Sequence, residues 1–274
     1  MSLLTFAFMR WAIAAGVVSA LACGLIGPFV RVRRLAFLAG AVAHSSLAGL
    51  GAAQYFDISP EWGAIPAAII SALLIGFLEQ RNKSHGHEDA IIGAIWAIGM
   101  AIGILFIAHT PGYNVQLMSF LFGSILTTGP ERFWMMAIGL TVVASILLAL
   151  WRPMIVVALD AEFARLRGLP VVWLDRLLLV FIAVAVVLLI QVVGLILVLA
   201  LLTLPAAVAG HWTSSMKGMV LIATFASLVS VAFGMVISVQ LDWPAGPTII
   251  LAAAGLFAVS MFLNWQYRKK QAMA

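Results

Sequence analysis

One imidazole stands where water is scarce. His44 lies mid-way along an apolar stretch, Gly40-Ala-Val-Ala-His-Ser-Ser-Leu-Ala-Gly49. An ionisable side chain at membrane depth is costly and marks a functional position by default. Neutral imidazole is also a common metal ligand. At helical spacing Gly40, Ala48 and Gly51 share its face, so another helix or a passing solute can come close. The position fits equally well a buried histidine bonded across helices to a serine or a carbonyl.

Other candidates are weaker. Asp242 follows an apolar stretch in Gln240-Leu-Asp-Trp-Pro-Ala-Gly-Pro247, near the outer mouth, and by itself reads as a loop carboxylate near a turn. His85-Gly-His87-Glu-Asp89 has the composition of a metal loop, but its solvated setting favours a plain polar connection. His109 and His211 stand at the ends of apolar runs. Gly99 and Gly103 make a small-xxx-small packing face. The sequence holds no Gly-x-x-x-x-Gly-Lys-Ser/Thr phosphate loop, no His-Glu-x-x-His and no Gly-x-Ser-x-Gly. It therefore lacks the usual means of hydrolysing ATP, and the usual hydrolase signatures.

A polar segment over residues 159–170 has the punctuation of a short helix. Asp160 is placed to cap its start, and Glu162 adds negative charge to the first turn. Phe163 and Leu166 are three apart and share a face, with Ala164 between them. Arg165 and Arg167 put positive charge in the last turn. Gly168 suits a left-handed stop, and Pro170, after Leu169, prevents resumption. Lying against a membrane segment, such a helix is either a surface loop that coils or a docking element for a soluble partner.

These residues need an apolar frame to hold them. Of 274 residues, 64% are hydrophobic and only 9% charged, where a soluble domain carries about 25% charged. The expected fold is all-α and polytopic, a single transmembrane domain over residues 1–274, in the lipid bilayer, with eight or nine transmembrane helices. A span needs about 20 apolar residues. Candidates lie near 11–30, 35–55, 62–78, 90–108, 133–150, 219–239 and 248–264. The run 177–210 is too long for one span, and Gln191 and Gly194 offer a break into two. The first run lacks a small-residue cleavage site and reads as a retained span. The apolar piece 115–127 is too short to cross and reads as re-entrant. Charge supports this. With the N-terminus outside, all but Arg10 and Arg132 of the fifteen basic residues fall on the cytoplasmic side, as the positive-inside rule requires. A full span at 115–127 would invert every later loop. The net charge of +5 is thus explained by orientation, with no nucleic acid as partner. The single Cys23 permits no internal disulfide.

Taken together, the motifs resemble those of the membrane permeases of ABC-type importers for zinc, manganese and iron. Arg33-Arg34-Leu35-Ala36-Phe37 through His44 and Gly49 is similar to the family's second span. Glu88-Asp89-Ala90-Ile91-Ile92-Gly93 is similar to its fourth. Leu117-Met-Ser-Phe-Leu-Phe-Gly-Ser-Ile-Leu126 resembles its re-entrant segment, whose Met118, Phe120, Leu121 and Phe122 would serve the gate. The stretch from Asp160 to Pro170, with Gln191-Val-Val-Gly194 and Leu204-Pro-Ala-Ala207, resembles its coupling region, and Asp242-Trp-Pro-Ala-Gly-Pro247 its last inter-span loop. The resemblance implies a bacterial inner-membrane subunit working with a second copy of itself, cytoplasmic ATP-binding subunits and a periplasmic or surface metal-binding protein. It implies no resident cofactor, ATP on the partner, and a divalent metal as cargo. The family commonly has Asp four residues before the second-span histidine; here that position is Gly40. Imidazole without the carboxylate suits zinc better than manganese, with Asp242 or a carbonyl to complete the site. Manganese, iron or a chelate are the alternative cargoes. An ion-coupled secondary transporter would be expected to hold acidic groups at mid-membrane, and these are sparse here.

Overall fold

The computed structural model describes residues 7–81, 88–110, 123, 125 and 128–273. Eleven helices occur among them: α1 (Ala7–Val32), α2 (Ala36–Tyr55), α3 (Pro60–Arg81), α4 (Glu88–Ala108), α5 (Pro130–Ala149), α6 (Trp151–Leu159), α7 (Ala161–Leu166), α8 (Val171–Val193), α9 (Leu195–Trp212), α10 (Met216–Leu241) and α11 (Ala245–Met273). Nine of the eleven, all but α6 and α7, are long and apolar enough to cross a membrane. No strand occurs among the described residues, as expected where every backbone group must be satisfied within its own segment. The re-entrant reading of 115–127 lies outside the described residues, save Gly123 and Ile125.

The core helix is α8. In its most apolar window 72% of the residues are buried, against 22% in α4 and α11, which face outward. Around α8 stand α2, α3 and α5; α1, α9, α10 and α11 form a second group, joined to the first through α8 and α9. Exposed Ile, Leu, Phe and Trp side chains cover the outer helices, which in lipid carries no penalty. Several buried hydroxyls bond back to their own helix, as Ser46 does to the Ala43 carbonyl (2.7 Å) and Ser230 to Ala226 (2.8 Å).

The expected break in the long apolar run is present. α8 ends at Val193, α9 begins at Leu195, and Gly194 between them has φ 86° and ψ 158°, a conformation essentially confined to glycine. Side-chain contacts give the direction of each arm. Asp175, near the start of α8, pairs with Arg33 at the end of α1. Gly210, near the end of α9, lies under the guanidinium of Arg31. The chain therefore climbs away from the Arg31–Arg33 face along α8, reverses at Gly194, and returns along α9. Gly123 packs directly on this reversal, against the backbone of Val193 and Gly194.

Helices α2 and α4 run parallel. Gly99 packs on Ser45, and Gly103 on Leu47 and Gly51, so the small-xxx-small face is a helix interface. Helix α3 folds back on α2 through Gly49 and Gly63, whose backbones meet with no room for a side chain. At the other end, α11 continues as helix through Arg268, Lys269 and Lys270.

Candidate functional site

His44 is half-buried, eight positions into α2. At 1.5 Å per residue that is about 12 Å from the helix start, near the middle of a ~30 Å hydrocarbon layer. Trp96 lies eight positions into α4, and because the two helices run parallel it arrives at the same depth. The rings stack at 4.4 Å between centroids and 17° between planes. Among the described residues His44 makes no hydrogen bond, and the bond to a serine is not formed: Ser45 and Ser46 both turn back to carbonyls of α2. Its ring nitrogens are left for something else.

Gly40 lies one turn from His44, and the surroundings leave space. A Cβ there would meet the Trp96 ring at 3.7 Å and the Leu199 methyls at 3.9 and 4.0 Å, ordinary van der Waals contacts. Trp96 and Leu199 therefore wall a small recess over Gly40, and Trp96 also stacks on His44 one turn away. Apart from this site, near the far end of α8, Gln191 has an amide oxygen and nitrogen shielded from solvent with no hydrogen-bond partner among the described residues.

Asp242 is placed elsewhere. It is exposed and ends α10 in the left-handed conformation, φ 54°, where the Trp243 N–H donates to the Ser238 carbonyl at 3.0 Å. Asp is one of the few residues that adopt this conformation readily. Helix α10 packs on α1, α9 and α11, so Asp242 and His44 stand on different helix groups. Among the described residues no three His, Cys, Asp or Glu side chains gather as a metal site. Met118, Phe120, Leu121, Phe122, His85 and His87 lie outside the described residues.

The polar helix forms as its punctuation requires. The Asp160 carboxylate accepts from the Phe163 N–H at 2.9 Å. Gly168 has φ 74°, and the Gly168 and Leu169 N–H groups donate to the Arg165 and Ala164 carbonyls at 2.9 and 3.1 Å, the paired bonds of a Schellman stop. Ala164 is fully buried against the neighbouring helices, while Leu166 is 89% and Phe163 44% exposed. The Arg167 guanidinium sits over the Phe163 ring at 4.8 Å. Helix α7 thus anchors one face and presents apolar side chains on the other, flanked by α6 and α8.

The match that decides the family spans almost the whole chain: residues 5–264 fit the model of the ABC 3 transport family. The chain belongs to the ABC 3 transport family. It is a membrane subunit of the ABC type, not the ATPase. A manganese transport system membrane protein, MntC, of Halalkalibacterium halodurans is 32% identical over 263 residues, covering 96% of this chain and 89% of the relative. The high-affinity zinc uptake system membrane protein ZnuB of Haemophilus influenzae is 26% identical, covering 92% and 95%. Among solved structures, PsaBC from Streptococcus pneumoniae, in complex with Fab, superposes with a TM-score of 0.88 at 25% identity, covering 98% of this chain and 97% of that one.

Three elements escaped the sequence reading. Trp96 needed the parallel pairing of α2 with α4, which no local pattern announces. Helix α6 was hidden between a span and the polar helix. Asp175 carries no local signal, and only the fold sets it against Arg33.

Proposed function

We propose that this chain is the permease subunit of an ATP-driven importer for divalent metal ions, with zinc as the favoured cargo. It works as a homodimer in the bacterial inner membrane, N-terminus outside and C-terminus cytoplasmic. Cytoplasmic ATP-binding subunits dock on α7, and an external binding protein delivers the ion. Residues 115–127 form the gate on the delivery side, with Met118, Phe120, Leu121 and Phe122.

The observation that carries this reading is His44. It offers free imidazole nitrogens at mid-membrane, stacked on Trp96 and one turn from the recess over Gly40. A single nitrogen ligand holds an ion weakly, which suits transit rather than storage, because conduction requires that the ion also leave. Imidazole with no carboxylate one turn away favours zinc. Asp242, if it acts on the ion, does so apart from His44, at the end of α10. The greater identity to the relative named for manganese transport than to ZnuB supports manganese as the second reading.

The test is ATP-dependent accumulation of zinc, manganese and iron in vesicles holding this chain with its ATPase and its binding protein. Zinc uptake should exceed the others. His44→Ala should lower it by more than about tenfold with assembly intact, the loss expected when a ligand on the path is removed. Unchanged uptake would remove His44 from the path, and a manganese preference would replace the ion while keeping the machine.

A further inference from the structure

Arg33 stands at a junction that the transport reading leaves unused. It closes α1 in a tight turn: the Arg33 N–H donates to the Phe29 carbonyl at 3.0 Å, Arg34 to Arg31 at 3.1 Å and Leu35 to Val30 at 2.8 Å. Arg34 takes the left-handed conformation at φ 57°, a position usually given to glycine. Leu35 is already the N-cap of α2. Arg33 is therefore two residues from the N-cap of the helix that carries His44, joined to it by a hydrogen-bonded turn with no slack.

The same guanidinium reaches both sides of the polar helix. One nitrogen donates to the Asp175 carboxylate on α8, just after α7, and the pair is half-buried, 26% and 17% exposed. Another donates to the Val157 carbonyl on α6, just before α7, at 3.5 Å. Among the described residues this is the sole salt bridge. Arg31, Arg34, Arg165 and Arg167 stand nearby without one.

We infer that Arg33 is the joint that carries movement of the α6–α7–α8 hairpin to α2, so that the Arg33–Asp175 pair couples ATP hydrolysis to ion passage at His44. This rests on the proposed docking of an ATPase on α7. The α2 surface suits such a shift. Gly40, Ala41, Ala43, Ser45, Ser46, Gly49 and Gly51 leave few side chains to interlock with neighbours, and shear motions proceed by small sliding of packed helices. A side chain rooted in the α1–α2 turn and bonded to α6 and α8 passes on movement of any of them. Arg33 is a positioning residue; it touches no ion.

The experiment uses the complete transporter in vesicles, with zinc as the probe, and reads ATP hydrolysed and zinc accumulated in the same sample. Arg33→Ala and the near-isosteric Asp175→Asn should still assemble with the ATPase and hydrolyse ATP, while zinc moved per ATP falls about tenfold, a mid-range value for coupling between sites. The charge reversal Arg33→Asp/Asp175→Arg should recover most of that ratio. An unchanged ratio in both single variants overturns the inference. So does a parallel loss of hydrolysis and uptake, or a loss of assembly in both that reversal does not mend, since each assigns the pair to docking or folding alone. If the unaltered transporter takes up no metal with ATP, it is the proposed function that fails instead.

Discussion

Gly40 is where the recess can be rebuilt. The space above it admits a side chain, and a residue there lies one turn from His44 on the same face. Gly40→Asp would set a carboxylate beside the imidazole, converting one ligand into two. In the absence of metal the new charge is unpaired in the membrane, which costs about 2.5–3.5 kcal/mol on an insertion scale. The expected outcome is a lowered thermal midpoint without metal, a recovery on adding manganese or zinc by mass action, and a shift of preference toward manganese, because carboxylate oxygen suits that ion. Thermal unfolding with and without each metal checks it; a midpoint indifferent to metal would show that the recess does not bind ions. His44 was legible in the sequence because an ionisable group within apolar sequence is conspicuous by itself. Trp96 was not, because its relevance comes from two helices 52 residues apart that start at one face and run side by side.

Among the elements, α7 was the most legible. Its signals are local: an acceptor at Asp160, a glycine stop at Gly168, a proline after it. The first two act within one turn and are found acting, while Pro170 becomes the N-cap of α8. The turn from α1 to α2 obeys the same geometry but ends on Arg34 rather than glycine, so sequence gives no warning of it. For function the decisive feature of α7 is exposure. Leu166 projects almost fully from a six-residue helix whose Ala164 is buried, and in the proposed orientation α7 stands at the cytoplasmic face, where water rather than lipid meets it. Leu166→Asp leaves the buried side untouched. It should keep the thermal midpoint of the isolated permease while weakening its association with the ATPase by about tenfold or more, the effect of losing an apolar anchor from an interface. Titrating the ATPase onto the detergent-solubilised permease measures this. Unaltered binding would move the docking surface off α7.

At the scale of the whole molecule, side-chain contacts tie the helix ends together before any membrane is considered. Arg33 with Asp175, Arg31 over Gly210, and the Trp212 indole N–H donating to the Ser260 hydroxyl at 2.9 Å place the ends of α1 and α9 and the basic end of α11 on one face, with α7. Helix α2 starts at that face, so Ser59, beyond its far end, belongs to the other. The positive-inside rule predicts that the face with the basic helix ends is the cytoplasmic one. Nine helices among the described residues are long and apolar enough to cross, and the piece at 115–127 lies outside the described residues save Gly123 and Ile125. The helix count was legible through length and charge; the pairing of helices was not, since glycine and alanine interfaces carry no mark of their partner. Orientation has a direct test, helped by the chain's single cysteine, Cys23, being buried. Ser59→Cys and Lys269→Cys each add one exposed thiol. In intact cells a membrane-impermeant maleimide should label Ser59→Cys and leave Lys269→Cys unlabelled until the membrane is opened. The reverse pattern would turn the whole molecule over and set α7 outside, away from any ATPase. Labelling of both in sealed cells would mean that the two positions share a face, which the paired helix ends exclude.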